Sequence, residues 1–287
     1  MAAPYAPYAL TEGFRFAMSL TRRRAAASLA ALPLALAAPG TATAATARRP
    51  TTVYVAGDST AATKQPTAAP ETGWGMALPF FLADDRFTVA NHAVNGRSSK
   101  SFYDEGRLAP ILAALRPGDL LLVQFGHNDE KIEDPARGTD PGTTYPQYLR
   151  LYLDGARERG ARPVLLTSVE RRKFDAAGTA QPTHGAYPDA VRRLARAERV
   201  PLLDIQASSI ALWQRLGPEA TQGYFNWLEP GESPNYPAGL QDNTHFQPHG
   251  AIEVARFVAR ELAARRVLRP RDLRRLNAAI PDSWITW

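Results

Sequence analysis

Ser59, with Asp242 and His245 far downstream, supplies the residue types for nucleophilic catalysis. A serine hydroxyl is a weak nucleophile at neutral pH and needs a base to take its proton. An imidazole acting as that base needs an acceptor on its other ring nitrogen to hold the right tautomer. In Asp242-Asn243-Thr244-His245 a carboxylate stands three residues before the imidazole, within reach inside one tight loop. Each residue alone has an ordinary explanation: Ser59 as the cap of a following helix, and His245 as a capping or packing residue. Their combination favours catalysis.

Two more segments could complete such a site, Asn95-Gly96-Arg97-Ser98 and Gly126-His127-Asn128-Asp129. The tetrahedral intermediate of acyl transfer concentrates negative charge on one oxygen, and donors aimed at that oxygen stabilise it. The backbone N–H groups of Ser59 and Gly96 and the side-chain amide of Asn128 are the expected donors. Singly, Gly96 reads as a turn glycine and Asn128 as a turn cap. His245 and His249 lie four apart, a spacing that can share a metal on a helix. Pro248 suits the first helical position, however, so the pair straddles a helix start, and neither a metal nor a cofactor is expected.

These residues need a scaffold that brings them together. Five short runs rich in β-branched residues or leucine, at 52–56, 87–91, 120–125, 164–169 and 200–204, read as strands buried on both faces. Helical spacing separates them at 107–115, 145–159 and 187–198, and a last helix from Pro248 turns Ala251, Val254, Ala255, Val258 and Leu262 to one face, with Glu253, Arg256, Arg260 and Glu261 on the other. Strands alternating with helices predict a three-layer α/β/α sandwich around a five-stranded parallel sheet. In the flavodoxin-like order 2-1-3-4-5, the turns after the first three strands meet on one rim, with Ser59 flanked by Gly96 and Asn128. Residues 217–240, rich in Gly, Pro and aromatics, read as a long surface loop of the kind that often carries function. The tail 269–287 is expected to pack onto the body.

The chain has 287 residues, enough for one such domain over 48–287 once an N-terminal extension and signal peptide over 1–47 is set apart. Arg22-Arg23-Arg24 followed by the Ala/Leu-rich run 25–38 has the order of an export signal, with small residues for cleavage at Ala42-Thr43-Ala44 or Ala45-Thr46-Ala47. Met18 is an alternative start to Met1, and the arginines are compatible with either the general or the twin-arginine export route. Pro33 and the shortness of the run argue against a membrane anchor, so no stable membrane association is expected after cleavage. With no cysteine, disulfides, lipid attachment through cysteine and thiolate catalysis are excluded. Residues 1–47 hold four arginines and one glutamate, half of the net charge of +6. The remaining charge is dispersed, save for arginines between 265 and 275 that read as a solvated helix face, so a nucleic-acid partner is not indicated. A monomer is expected.

Four blocks, Gly57-Asp58-Ser59, Asn95-Gly96-Arg97-Ser98, Gly126-His127-Asn128-Asp129 and Asp242-x-x-His245, resemble in order and spacing those of the SGNH, or GDSL-like, hydrolases. The wording Gln124-Phe125-Gly126-His127-Asn128-Asp129 and Asp242-Asn243-Thr244-His245-Phe246, and Thr60 where many relatives have leucine, resembles the rhamnogalacturonan acetylesterase branch. The resemblance implies a serine esterase with Ser59 as nucleophile, His245 as base, Asp242 orienting it, and Ser59, Gly96 and Asn128 as oxyanion donors. It makes Asp58 a structural acceptor bracing the serine turn. The rival α/β-hydrolase elbow, Gly-x-Ser-x-Gly, is not met, because Ala61 stands at its last glycine.

The substrate the resemblance implies is an acetylated plant polysaccharide. Trp74 and Trp227, with Tyr224, Phe225 and Tyr236, could offer flat faces to sugar rings, and Arg97 and His127 are further candidates for substrate contact. Acetylxylan, another carbohydrate or a lipid ester are alternatives, as is a binding protein that has kept the fold without the chemistry.

Overall fold

A computed structural model describes residues 49–287. The expected export signal and its cleavage sites lie outside them. The sheet contains β1 (Thr51–Gly57), β2 (Phe87–Asn91), β3 (Leu120–Gln124), β4 (Arg162–Leu166) and β5 (Leu202–Leu203), all parallel and in the order β2-β1-β3-β4-β5. This is the predicted order, with β4 and β5 ending before the expected 169 and 204.

Successive side chains of a strand point to opposite faces, and here the alternation fills two cores. Val53, Val55, Leu120, Leu122, Val164 and Leu166 enter one; Tyr54, Ala56, Leu121, Val123 and Leu165 enter the other. The first is covered by α1 (Trp74–Ala77), α6 (Ile205–Ala220) and α7 (Pro248–Ala264). The second is covered by α2 (Ser99–Asp104), α3 (Leu108–Ala114), α4 (Thr144–Glu158) and α5 (Tyr187–Glu198). The result is the three-layer sandwich.

Three expectations need correction. Residues 217–240 are not one loop: they contain β6 (Phe225–Leu228), which pairs antiparallel with β7 (Leu240–Phe246). Helix α6 has no counterpart among the expected elements, although Ile205, Ser209, Leu212 and Trp213 form its buried stripe and Asp204 caps it; it breaks at Gly217, where φ is 77°. The arginines after 264 do not form a helix face. Helix α7 ends at Ala264, and the chain wraps back as an irregular tail that buries Ile280 and Ile285. Arg256, expected on the polar face of α7, is therefore covered. Its guanidinium pairs with Glu253 at 3.0 Å and donates to the carbonyls of Arg275, Leu276 and Ala278. Buried arginine is tolerated because its donors meet acceptors.

Candidate active site

The carboxyl ends of β1, β2 and β3 lie side by side, so the loops that leave them share one rim. Gly57 closes β1 where a Cβ would come within 3.0 Å of the Gln124 carbonyl oxygen, which keeps β1 and β3 close as the chain turns into Asp58 and Ser59. No helix starts next to Ser59: a 3-10 turn at Pro66–Ala68 is capped by Gln65, and α1 begins at Trp74, so the serine is not a helix cap. The turn is braced by Asp58, whose Oδ1 accepts the Thr60 N–H at 2.9 Å and the Thr60 hydroxyl at 2.7 Å, the structural role the resemblance implied. Burial pushes the Asp58 carboxyl up, but His127 and Thr60 outweigh it and hold the group ionised.

Asp242 and His245 reach Ser59 through an excursion in β7. Gln241 pairs with Trp227 and Phe246 with Phe225, so 242–245 bulge out opposite the single residue Asn226. This is the expected tight loop, set inside a strand pair. Within it Asp242 Oδ1 accepts the N–H groups of Thr244 at 2.7 Å and His245 at 3.1 Å, while Oδ2 lies 2.6 Å from His245 Nδ1. His245 Nε2 lies 2.8 Å from the Ser59 hydroxyl oxygen. Burial raises the Asp242 carboxyl, yet its bonds with His245 and the two N–H groups outweigh this and keep it below the usual aspartate range. An ionised Asp242 therefore accepts a hydrogen bond from Nδ1–H, which stays on the ring, and leaves Nε2 free to receive a proton from Ser59.

The same cleft, about 460 Å³, is lined by Ser59, Gly96, Asn128 and His245, with His127 and Glu71 also in its wall. Gly96 has φ 74° in a turn closed by the Arg97 N–H on the Val94 carbonyl at 3.3 Å, a conformation that glycine adopts without strain. Among the described residues the Ser59 and Gly96 N–H groups have no acceptor. Asn128 Nδ2 spends one hydrogen on the Arg97 carbonyl at 3.1 Å and keeps one. Asp129 ties the second block to the third by accepting the Ser99 N–H and hydroxyl and the Thr139 hydroxyl.

The candidate substrate residues fare differently. Trp74 cannot offer a face to a sugar: it is completely buried, and its Nε1 donates to Gln124 Oε1 at 2.7 Å. Phe225 is likewise buried, Tyr224 packs between Trp213 and His249, and the Tyr236 hydroxyl bonds the Ala68 carbonyl. The Arg97 side chain turns to Glu105 at 3.0 Å, so it contributes its carbonyl, not its charge. Trp227 lies under the Arg172 guanidinium and bonds Asn243, one residue from the cleft wall. His127 does line the cleft. Its Nδ1 is 3.2 Å from Asp58, burial lowers its pKa against the opposing pull of Asp58, and Nε2 has no hydrogen-bond partner among the described residues. His249 faces Tyr224 and Asp282, away from the partners of His245.

Lys64 and Glu71 also support the site, and the sequence alone does not single them out. Lys64 is buried, pairs with Glu71 at 2.6 Å and donates to Asn95 Oδ1 at 2.8 Å, and so secures the turn that presents Gly96. Burial lowers its pKa against the opposing pull of Glu71. No local pattern marks Lys64, because its partners are 7 and 31 residues away in the chain.

The sheet order, the serine turn and the aligned Ser59, His245 and Asp242 make an arrangement able to carry out acyl transfer at an ester. Residues 55–251 match the GDSL-like lipase/acylhydrolase family, and the chain belongs to it. It is 46% identical over 212 residues to a rhamnogalacturonan acetylesterase of Bacillus subtilis (strain 168), covering 74% of this chain and 89% of that one. A rhamnogalacturonan acetylesterase of Emericella nidulans is 27% identical over 228 residues, covering 71% and 81%. The crystal structure of the Bacillus subtilis protein YXIM matches with a TM-score of 0.66 at 27% identity, over 76% of this chain and 58% of that one.

Proposed function

We propose that this protein removes acetyl groups from rhamnogalacturonan, with Ser59, His245 and Asp242 as its catalytic residues. The observation that carries the mechanism is the continuous line from Ser59 Oγ to His245 Nε2 at 2.8 Å and from His245 Nδ1 to Asp242 at 2.6 Å. The Ser59 hydroxyl attacks the acetyl carbonyl as His245 takes its proton, and the oxyanion faces the Ser59 and Gly96 N–H groups and the Asn128 amide. His245 returns the proton to the departing sugar hydroxyl, which leaves an acetyl-Ser59 ester. Water, deprotonated by the same imidazole, attacks that ester; the imidazolium returns the proton to Ser59, and acetic acid leaves and ionises in solvent.

The substrate is supported by the likeness to the two acetylesterases, and export by the signal pattern before residue 48, in keeping with a polymer met outside the cell. The test is acetate release from acetylated rhamnogalacturonan, acetylated xylan and an aryl acetate, with Ser59→Ala alongside. Release from rhamnogalacturonan that disappears in the variant is expected. Release from xylan or aryl acetate alone would overturn the substrate, and release that persists in Ser59→Ala would overturn the nucleophile.

A further inference from the structure

The walls of the Ser59 cleft differ in charge. Glu71 is paired with the buried Lys64. On the side of His127 and Asn128 the wall is cationic, formed by Lys131 and Arg171. The turn after β3 places Lys131: its N–H donates to the Asn128 carbonyl at 3.2 Å, so the lysine follows the amide-bearing Asn128 by one tight turn. Arg171 is fixed from behind, pairing with Glu130 at 3.0 Å and reaching the His127 carbonyl. Glu130 is committed to Arg171 and to His184.

Among the described residues Lys131 has no such partner: no carboxylate lies within salt-bridge distance of its ammonium, and neighbouring Asp134 is engaged by Arg137 at 2.6 Å. Lys131 is exposed; its limited desolvation, and then the positive charges of Arg137 and Arg171, lower its pKa against the opposing pull of Asp134 and Asp58. An anion bound there would relieve that repulsion. A neutral glycan would leave it in place.

We propose that Lys131, with Arg171 behind it, is an anion subsite that binds a uronate carboxylate of the acetylated chain. This rests on the reading of the substrate as rhamnogalacturonan, a polymer that carries a uronate and its acetyl esters in one chain. It names the group by which the cleft tells that polymer from a neutral acetylated glycan. Lys131 acts on substrate affinity, since acyl transfer itself is served by Ser59, His245, Asp242 and the oxyanion donors.

The test compares the full chain with Lys131→Gln and Lys131→Glu on two forms of one acetylated rhamnogalacturonan oligosaccharide, native and with its uronate carboxyls reduced to alcohols. Wild type is expected to prefer the native form by roughly 2–5-fold in kcat/KM, mostly through KM, as for an exposed and screened charge pair. The preference should fall to about 1 in Lys131→Gln and invert in Lys131→Glu, and added salt should erode both the wild-type preference and the inverted one. Equal kcat/KM on both forms in wild type, or a preference that survives Lys131→Gln, would overturn the subsite while leaving the polymer as substrate. Hydrolysis of an aryl acetate without turnover of either oligosaccharide would overturn the substrate reading and the subsite with it.

Discussion

Replacing Asp242 by Asn tests the catalytic line through a constraint specific to this loop. The two carboxylate oxygens of Asp242 do different work: Oδ1 accepts two backbone N–H groups, from Thr244 and His245, and Oδ2 faces His245 Nδ1 at 2.6 Å. An asparagine must keep its carbonyl oxygen at the Oδ1 position, because turning the NH2 there would set donor against two donors. The NH2 is therefore forced onto Nδ1 and selects the tautomer with hydrogen on Nε2. That nitrogen can no longer take the Ser59 proton. The expected loss is ~10³–10⁴ in kcat/KM, about 4–5.5 kcal/mol of transition-state stabilisation. The fold should be nearly undisturbed, since the oxygen that organises the loop is retained. The assay is acetate release from an aryl acetate near neutral pH, alongside a thermal melt that establishes equal folding. A folded variant within tenfold of wild type would refute the assignment of Asp242 as the residue that sets the tautomer.

Asn128→Ala should lower kcat by roughly 10²–10³ through loss of an oxyanion donor, and an unchanged kcat would remove its amide from the site. Trp74→Ala should destabilise the fold by about 3–5 kcal/mol in urea unfolding, because it empties a buried site and strips Gln124 of its donor. A Trp74 variant of unchanged stability and raised KM would instead restore the tryptophan to sugar binding. Lys64→Met leaves Glu71 and Asn95 Oδ1 without their shared donor; a stability loss of roughly 3–5 kcal/mol is expected, with kcat reduced as the Gly96 turn loosens. Wild-type stability and kcat in that variant would show that the Asn95–Gly96 turn holds itself.

Local chemistry made the site legible in the sequence. Ser59, Gly96, Asn128, Asp242 and His245 sit in turns whose residue types are set by what each turn must do, and the Asp242 to His245 spacing lets one short loop carry two catalytic groups. The strands were legible for a similar reason: a strand covered on both faces must be apolar at consecutive positions, as in Leu120-Leu121-Leu122-Val123. Through-space partners decided the rest. Trp74 looked like a sugar platform until α7 and the sheet buried it, Arg256 looked solvated until the tail folded back over it, and 217–240 looked like a loop because β6 is a strand only when β7 pairs with it. Lys64 and Lys131 are both lysines to a sequence. Only the tertiary structure gives one a carboxylate partner in the interior and leaves the other unpaired at the mouth of the cleft, because electrostatic environment depends on distance in space and not along the chain.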